Sequence, residues 1–293
     1  MKNVKVLHIG LAKSGSSLLL EVFKKVSLAT NIKMINLYDF IQKKKDFNHI
    51  LEKENNFEKK LPNSFIISHR TLFSRRWEFN KVVESFEHVK RNFSDDTTIL
   101  IVIRNPYELL NSIYCQTINV MEIIRPNDFF YSEKNDLSRK DNKFNLYNFD
   151  YKKLISLYKS YFKNVIVIKH EDLKDFRFLK EIFDLDRNFL ESLGHLKDNF
   201  HNRAISKTGI NFILFLNRFI NLEKYQGVIR NNIKFTNNPL YKIKNRILYQ
   251  FLLREFFQKK FDKIIPYKKY YVEKNDLPID IDKLINEYND LSL

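Results

Sequence analysis

Cysteine is almost missing from this chain. Cys115 is the only one, so an intramolecular disulfide framework is excluded and a reducing compartment is the natural home. Glycine and proline are scarce as well, at five and six residues in 293. No Gly/Pro-rich linker, internal repeat or low-complexity block divides the sequence, and a single domain over residues 1–293 is expected. No run is long and apolar enough to span a membrane, and no apolar leader precedes the first strand, which starts at about Asn3. A soluble, cytoplasmic protein is the expectation. The histidines and Cys115 lack metal-ligand spacing, so no metal is expected.

What the chain does have is hydrophobic residues, at 44%, enough to bury a sizeable α/β core. It also carries a formal net charge of +16. Such a field draws anions, but Lys, Asn, Ile, Phe and Tyr rise together here, a bias that AT-rich coding alone produces. No Lys/Arg cluster is interleaved with aromatics as a nucleic-acid surface requires, so no nucleic-acid partner is expected.

Hydrophobic periodicity gives the elements. Lys5–Ile9 reads as a strand and Ser16–Val26 as a helix that buries Leu18, Leu19, Val22, Phe23 and Val26. A weak strand (Lys33–Asn36) and a helix containing Lys43-Lys44-Lys45 follow, then a strand at Ser64–Ser68 and a helix at Trp77–Phe93. Thr98–Ile103 is wholly apolar, as in a buried parallel strand. Pro106 suits the first turn of a helix that runs to Asn119. Ser132–Asn148 reads as a polar loop, Asp150–Phe162 as a helix and Val165–Ile168 as a strand, with Asp172 an N-cap for the next helix. Alternating strands and helices imply a central parallel sheet flanked by helices, an α/β fold in three layers with a helical C-terminal third.

One stretch carries chemistry: Gly10-Leu11-Ala12-Lys13-Ser14-Gly15-Ser16-Ser17, between the first strand and the first helix. Such a loop offers unpaired backbone N–H groups and the positive end of a helix dipole to an anion. An ATPase or kinase loop would read G-x-x-x-x-G-K-[ST], but Ser16 stands where that lysine belongs. The strand Thr98–Ile103 ends in Arg104, where many such enzymes carry a magnesium-holding aspartate. The hardware suits an anion held without a metal. In an open parallel sheet, ligands sit outside the carboxyl ends of the strands. Three strands end there in capable residues: the Lys13 loop, His69 and Arg104.

The Lys13-Ser14-Gly15-Ser16-Ser17 loop resembles the 5′-phosphosulfate-binding loop of sulfotransferases that use 3′-phosphoadenosine 5′-phosphosulfate (PAPS). Arg104-Asn105-Pro106, with Ser112-Ile113-Tyr114 after it, resembles their 3′-phosphate-binding segment. The stretch Tyr151–Leu173 resembles the helix–strand–YEDL unit of bacterial members, with His170 in place of the tyrosine. The resemblance covers Val4 to about Leu173 and implies a P-loop-like fold with residue roles. Lys13 would balance charge on the leaving 3′,5′-ADP, and Ser14, Gly15, Ser16 and Ser17 would hold the 5′-phosphate. Arg104 and Ser112 would grip the 3′-phosphate. His69 would be the base, with Glu171 as the alternative, and His170 structural. Asn202 and Arg203 would belong to a loop that closes over the cofactor.

Ile243–Phe261 is aromatic and basic at helical spacing. It reads as a core-facing helix with a lysine-rich outer face, and a peripheral contact with an anionic membrane is the other reading. The expected activity is transfer of a sulfuryl group from PAPS to a hydroxyl of a carbohydrate, glycolipid or small molecule. The alternatives are a P-loop phosphotransferase and a non-catalytic anion-binding module. The acceptor and the oligomeric state are not legible in the sequence.

Overall fold

A computed structural model of the chain describes residues 3–11, 13–35, 51–69, 82–119, 124–134, 143–147, 149–196, 206–220 and 267–291. The protein is α/β, built around a five-stranded parallel sheet in the order β2-β3-β1-β4-β7. These strands are β1 (Lys5–Ile9), β2 (Lys33–Met34), β3 (Phe65–His69), β4 (Thr98–Ile103) and β7 (Val165–Lys169). Two short strands, β5 (Phe130–Tyr131) and β6 (Phe144–Asn145), form a separate parallel pair. The described helices are α1 (Ser16–Ala29), α2 (Val82–Asn92), α3 (Pro106–Asn119), α4 (Pro126–Phe129), α5 (Tyr151–Lys159), α6 (Arg177–Phe183), α7 (Arg187–Ser192), α8 (Lys207–Ile220) and α9 (Ile281–Asn289).

The chain divides into two compact units. The first comprises Met1–Leu109, Tyr147–His201 and Asp282–Leu293; the second comprises Leu110–Leu146 and Asn202–Ile281.

The first unit holds the large sheet. Its strands pair in register, with Val6 beside both Ile66 and Thr98, and Ile101 beside Val167. Side chains alternate along a strand, so Val6, Ile66, Leu100, Val102 and Ile168 share one face. They pack with Leu19, Val22, Phe23 and Val26 of α1 and Leu179 and Phe183 of α6. The opposite face, with Leu7, Ile9, Phe65, Ile67, Ile99 and Ile101, is fully buried too. There the Phe65 ring meets Phe93, just past α2, at 6.3 Å, and Phe86 of α2 meets Tyr158 of α5 at 5.2 Å. This two-sided burial explains why β4 is apolar throughout instead of alternating.

Topology follows from handedness. The chain leaves β1 toward β2 with α1 on one face, then travels from β3 past β1 to β4 with α2 on the other. A right-handed crossover must change face when its direction reverses. The reversal makes the carboxyl ends of β1 and β4 the switch point of the sheet, where ligands bind in open α/β folds.

At the amino-terminal edge, a polar knot ties β1 to β4. Lys5 pairs with Glu58 at 2.7 Å and Asp96 at 3.1 Å. Glu58 also accepts from the Ser94 amide at 2.6 Å, the Ser94 hydroxyl at 2.8 Å and the Thr97 hydroxyl at 3.2 Å.

The second unit is aromatic. Tyr114 of α3 stacks on Tyr270 at 5.6 Å and meets Phe129 at 5.8 Å, and Phe129 and Phe130 lie edge-on at 4.7 Å. Asn111 accepts from the buried amide of Val272.

Several boundaries differ from the sequence reading. α1 runs three residues further, to Ala29, and β3 is shifted by one residue because Phe65–His69 is the stretch in register with Lys5–Ile9. The described part of the second helix begins at Val82, and α5 ends at Lys159. Asp150 caps α5 by accepting from Lys153 N at 2.9 Å. The polar stretch read as a loop over Ser132–Asn148 contains β6, whose Phe144 pairs with Phe130. Asp172 does not cap the next helix. It lies within a 3-10 turn, His170–Asp175, and α6 is preceded by Phe176 in a left-handed conformation, φ 58°. The lysine-rich helix around Lys43-Lys44-Lys45 and the aromatic stretch Ile243–Phe261 lie outside the described residues.

Candidate functional site

β1 delivers the chain to its carboxyl edge as Ile9-Gly10-Leu11, and the turn that follows is built around two left-handed residues. Lys13 has φ 63° and Gly15 has φ 86°, with Ser14 between them. Gly15 is needed twice over. Its φ suits only glycine at low cost, and a Cβ there would come within 2.4 Å of Leu173 Cδ1 and 3.4 Å of His170 Cδ2. Lys13 has no such excuse. A non-glycine residue in this region costs about 1 kcal/mol or more, and persists only where its surroundings hold it.

The turn is held from several directions. Ser14 N donates to Leu11 O at 3.3 Å, and the Ser16 hydroxyl donates to the same carbonyl at 3.3 Å. Arg104, the residue after β4, donates from Nη1 to Lys13 O at 2.9 Å.

Gly15 caps α1 without a side-chain acceptor, and no acidic residue stands in the first turn. The positive end of the α1 dipole is therefore not neutralised from within the helix. Ser14 is fully buried, and its hydroxyl finds no hydrogen-bond partner among the described residues. Leaving a buried hydroxyl in that state costs about 1–3 kcal/mol. Ser16 is half-buried and Ser17 exposed. Small residues, an uncapped helix end and an unsatisfied buried hydroxyl are features from which anion sites at helix N-termini are built.

Arg104 is well covered, its side chain 18% exposed, with Nη2 at 3.3 Å from Glu108 Oε2. Its carbonyl accepts from Tyr151 Oη at 2.8 Å, which fixes the end of β4 to α5. Asn105 caps α3 by accepting from Tyr107 N and Glu108 N at 3.1 and 3.2 Å. This local geometry is why Arg104-Asn105-Pro106 turns the chain sharply from strand to helix.

His170 follows β7 and lies against Gly15. Burial, and then the positive charge of Arg104, draw its pKa down to about 4, so the ring is neutral near pH 7. Glu171, the alternative base, is taken by the carboxyl-terminal helix: Tyr288 Oη donates to its two oxygens at 2.8 and 2.9 Å. The His69 backbone ends β3 and pairs with Ile9, the residue before Gly10.

His8 was not singled out by the sequence. It is fully buried under α1, its ring edge-on to Phe23 at 6.1 Å and its Nδ1 2.8 Å from Ser68 Oγ. Its Nε2 finds no partner among the described residues, and burial lowers its pKa to about 3.

The loop residues Lys13 to Ser17, Arg104 and the backbone of His69 thus come to one edge of the sheet, as the sequence reading expected. Ser112 is half-buried on α3 within the second unit, and Asn202 and Arg203 lie outside the described residues. The sequence reading set His170 aside as structural and gave Glu108 and Tyr151 no role. An apolar strand interrupted by one histidine was the available signal for His8; the i,i+4 spacing of Arg104 and Glu108 was the signal for their pair. No helix among the described residues is long and apolar enough to cross a membrane, and no group of three or more His, Cys, Asp or Glu there could hold a metal ion. The chain matches no protein-family model and no curated protein.

Proposed function

We propose that the protein is a PAPS-dependent sulfotransferase with a P-loop-like fold, acting in the cytoplasm on a hydroxyl of a carbohydrate, glycolipid or small molecule. The observation that carries this reading is the loop after β1. Two left-handed residues enclose a buried, unpartnered Ser14 hydroxyl at a helix end with no capping side chain. Ser16 in place of the kinase lysine, and Arg104 in place of a magnesium-holding aspartate, favour a sulfated nucleotide over a metal-bound nucleoside triphosphate.

The donor supplies the sulfuryl group. Gly15 and Ser14, Ser16 and Ser17 bind its 5′-phosphate through backbone and hydroxyl donors. Lys13 balances the charge that builds on the departing 3′,5′-ADP. Arg104 recognises the 3′-phosphate, which ATP lacks. His69 takes the proton from the acceptor hydroxyl as its oxygen bonds to sulfur and the bond from sulfur to the donor's phosphate oxygen breaks.

The test is calorimetric binding of 3′,5′-ADP, 5′-ADP and ATP, first in EDTA and then with magnesium. Preference for 3′,5′-ADP in EDTA is expected. Tight, magnesium-dependent ATP binding with no preference for 3′,5′-ADP would overturn the reading in favour of a phosphotransferase. His69→Ala is expected to abolish sulfuryl transfer and leave 3′,5′-ADP binding unchanged. A protein that binds but never transfers, with or without His69, is an anion-binding module.

A further inference from the structure

We infer that Arg104 is a positioning residue of the anion loop, a strap that holds Lys13 in its left-handed conformation. This role rests on the anion-binding reading of that loop and is separate from any contact Arg104 makes with a 3′-phosphate. Lys13 is the non-glycine residue of the turn at φ 63°, and its carbonyl accepts from Arg104 Nη1 at 2.9 Å. The guanidinium is itself held. Glu108 takes Nη2 at 3.3 Å, and Tyr151 grips the Arg104 carbonyl at 2.8 Å. The strap therefore runs from α5 and α3, through the end of β4, to the loop after β1, across the switch point of the sheet.

A guanidinium suits the task because it is a rigid planar fork that serves two acceptors at once. With Lys13 O tied down, the loop keeps the conformation in which the buried Ser14 hydroxyl and the α1 N-terminus stand ready before any ligand arrives. Binding then forfeits little ordering free energy. Arg104 consequently governs affinity for every anion at the loop, including those with no 3′-phosphate.

The experiment compares the wild-type protein with Arg104→Met, which keeps the apolar stem, and Arg104→Lys, which keeps the charge but not the fork. Hydrogen exchange over residues 10–19 is measured without ligand, and calorimetric titrations in EDTA use inorganic pyrophosphate and 3′,5′-ADP. In Arg104→Met, loop exchange is expected to accelerate while the rest of the first unit exchanges at wild-type rates. Pyrophosphate affinity is expected to fall about tenfold or more, the scale of one lost charge-assisted hydrogen bond. Arg104→Lys, where a single ammonium replaces the fork, is expected to show both changes in weaker form.

Wild-type loop exchange and pyrophosphate affinity in both variants, with only the 3′,5′-ADP preference lost, would overturn the strap and leave the sulfotransferase reading intact. A strap effect in a protein whose wild-type form does not prefer 3′,5′-ADP would uphold the inference and sink that reading. If the wild-type protein binds neither pyrophosphate nor 3′,5′-ADP, both fall.

Discussion

The two edges of the large sheet are built from the same strands and treat their polar groups in opposite ways. At the amino edge, Lys5 of β1 meets Glu58 and Asp96, and Glu58 is filled by Ser94 and Thr97 besides. At the carboxyl edge, the same β1 runs into two left-handed residues, an uncapped helix and a buried hydroxyl without a partner. Folding alone would favour the first arrangement everywhere, because buried polar groups are ordinarily satisfied. Under the proposed function, the second persists because its groups are kept for an anion. Asn56, two residues before Glu58, is left-handed too at φ 57°. The carboxyl edge therefore differs in gathering two left-handed residues, an uncapped helix start and an unmet hydroxyl into one loop, where the proposed anion site lies.

Substitutions at the two edges should therefore separate stability from binding. The largest effect is expected at Gly15. Alanine there must adopt φ 86° and place its Cβ 2.4 Å from Leu173 Cδ1. Strain and overlap together should cost roughly 2–4 kcal/mol, read as a lower denaturant midpoint, and anion binding should be lost as the loop opens. Retained stability in Gly15→Ala would show that Leu173 yields and that the loop is not fixed by that contact.

Glu58→Gln comes next, at the other edge. The Lys5 ammonium and the Ser94 and Thr97 groups would lose their carboxylate, at about 1–3 kcal/mol. The pH dependence has a definite sign. Burial opposes ionisation of Glu58, but hydrogen bonds from Lys5 and Ser94 outweigh it and hold the carboxyl below its ordinary value. The Ser94 hydrogen bond, ahead of Lys5, does the same for Asp96. Groups whose folded pKa is depressed stabilise the protein at neutral pH, and that stability is lost as pH falls through the folded value. Wild-type protein should lose stability on acidification, and Glu58→Gln should lose less, since it has already forfeited the Glu58 part. Anion binding at neutral pH should be unchanged. Parallel acid profiles for the two proteins would show that the knot adds nothing beyond ordinary surface charge.

How much of this was legible before the structure also divides by edge. The elements that make the sheet came directly from periodicity: β1, β4 and α3 are where the apolar runs and Pro106 placed them. The gathering of the Lys13 loop, Arg104 and the His69 backbone followed from strand ends in a parallel sheet. What sequence could not supply was contact between distant segments. Glu58 reaches Lys5 and Ser94 across 53 and 36 residues, and nothing in its own neighbourhood marks it. His170 lay in a recognisable segment, yet its place against Gly15 depends on how β7 is paired with β4. The β5–β6 pair was hidden because each strand is two residues long, too short for any period to register. Left-handed geometry at Lys13 was invisible, since lysine carries no propensity for it.

The smallest expected effect is the most diagnostic. Ser14→Ala removes a fully buried hydroxyl that has no partner among the described residues. On stability grounds the substitution should be neutral or favourable by up to about 1 kcal/mol, because an unsatisfied polar group disappears. If that hydroxyl is kept for an anion, pyrophosphate and 3′,5′-ADP should both bind several-fold more weakly to this protein of equal or greater stability. Ser94→Ala at the opposite edge should do the reverse, losing about 1 kcal/mol as Glu58 forfeits a donor and leaving binding untouched. A Ser14→Ala protein that is destabilised and binds normally would mean that the Ser14 hydroxyl supports the fold. The contrast between the edges would then rest on the backbone of Lys13 and Gly15 alone.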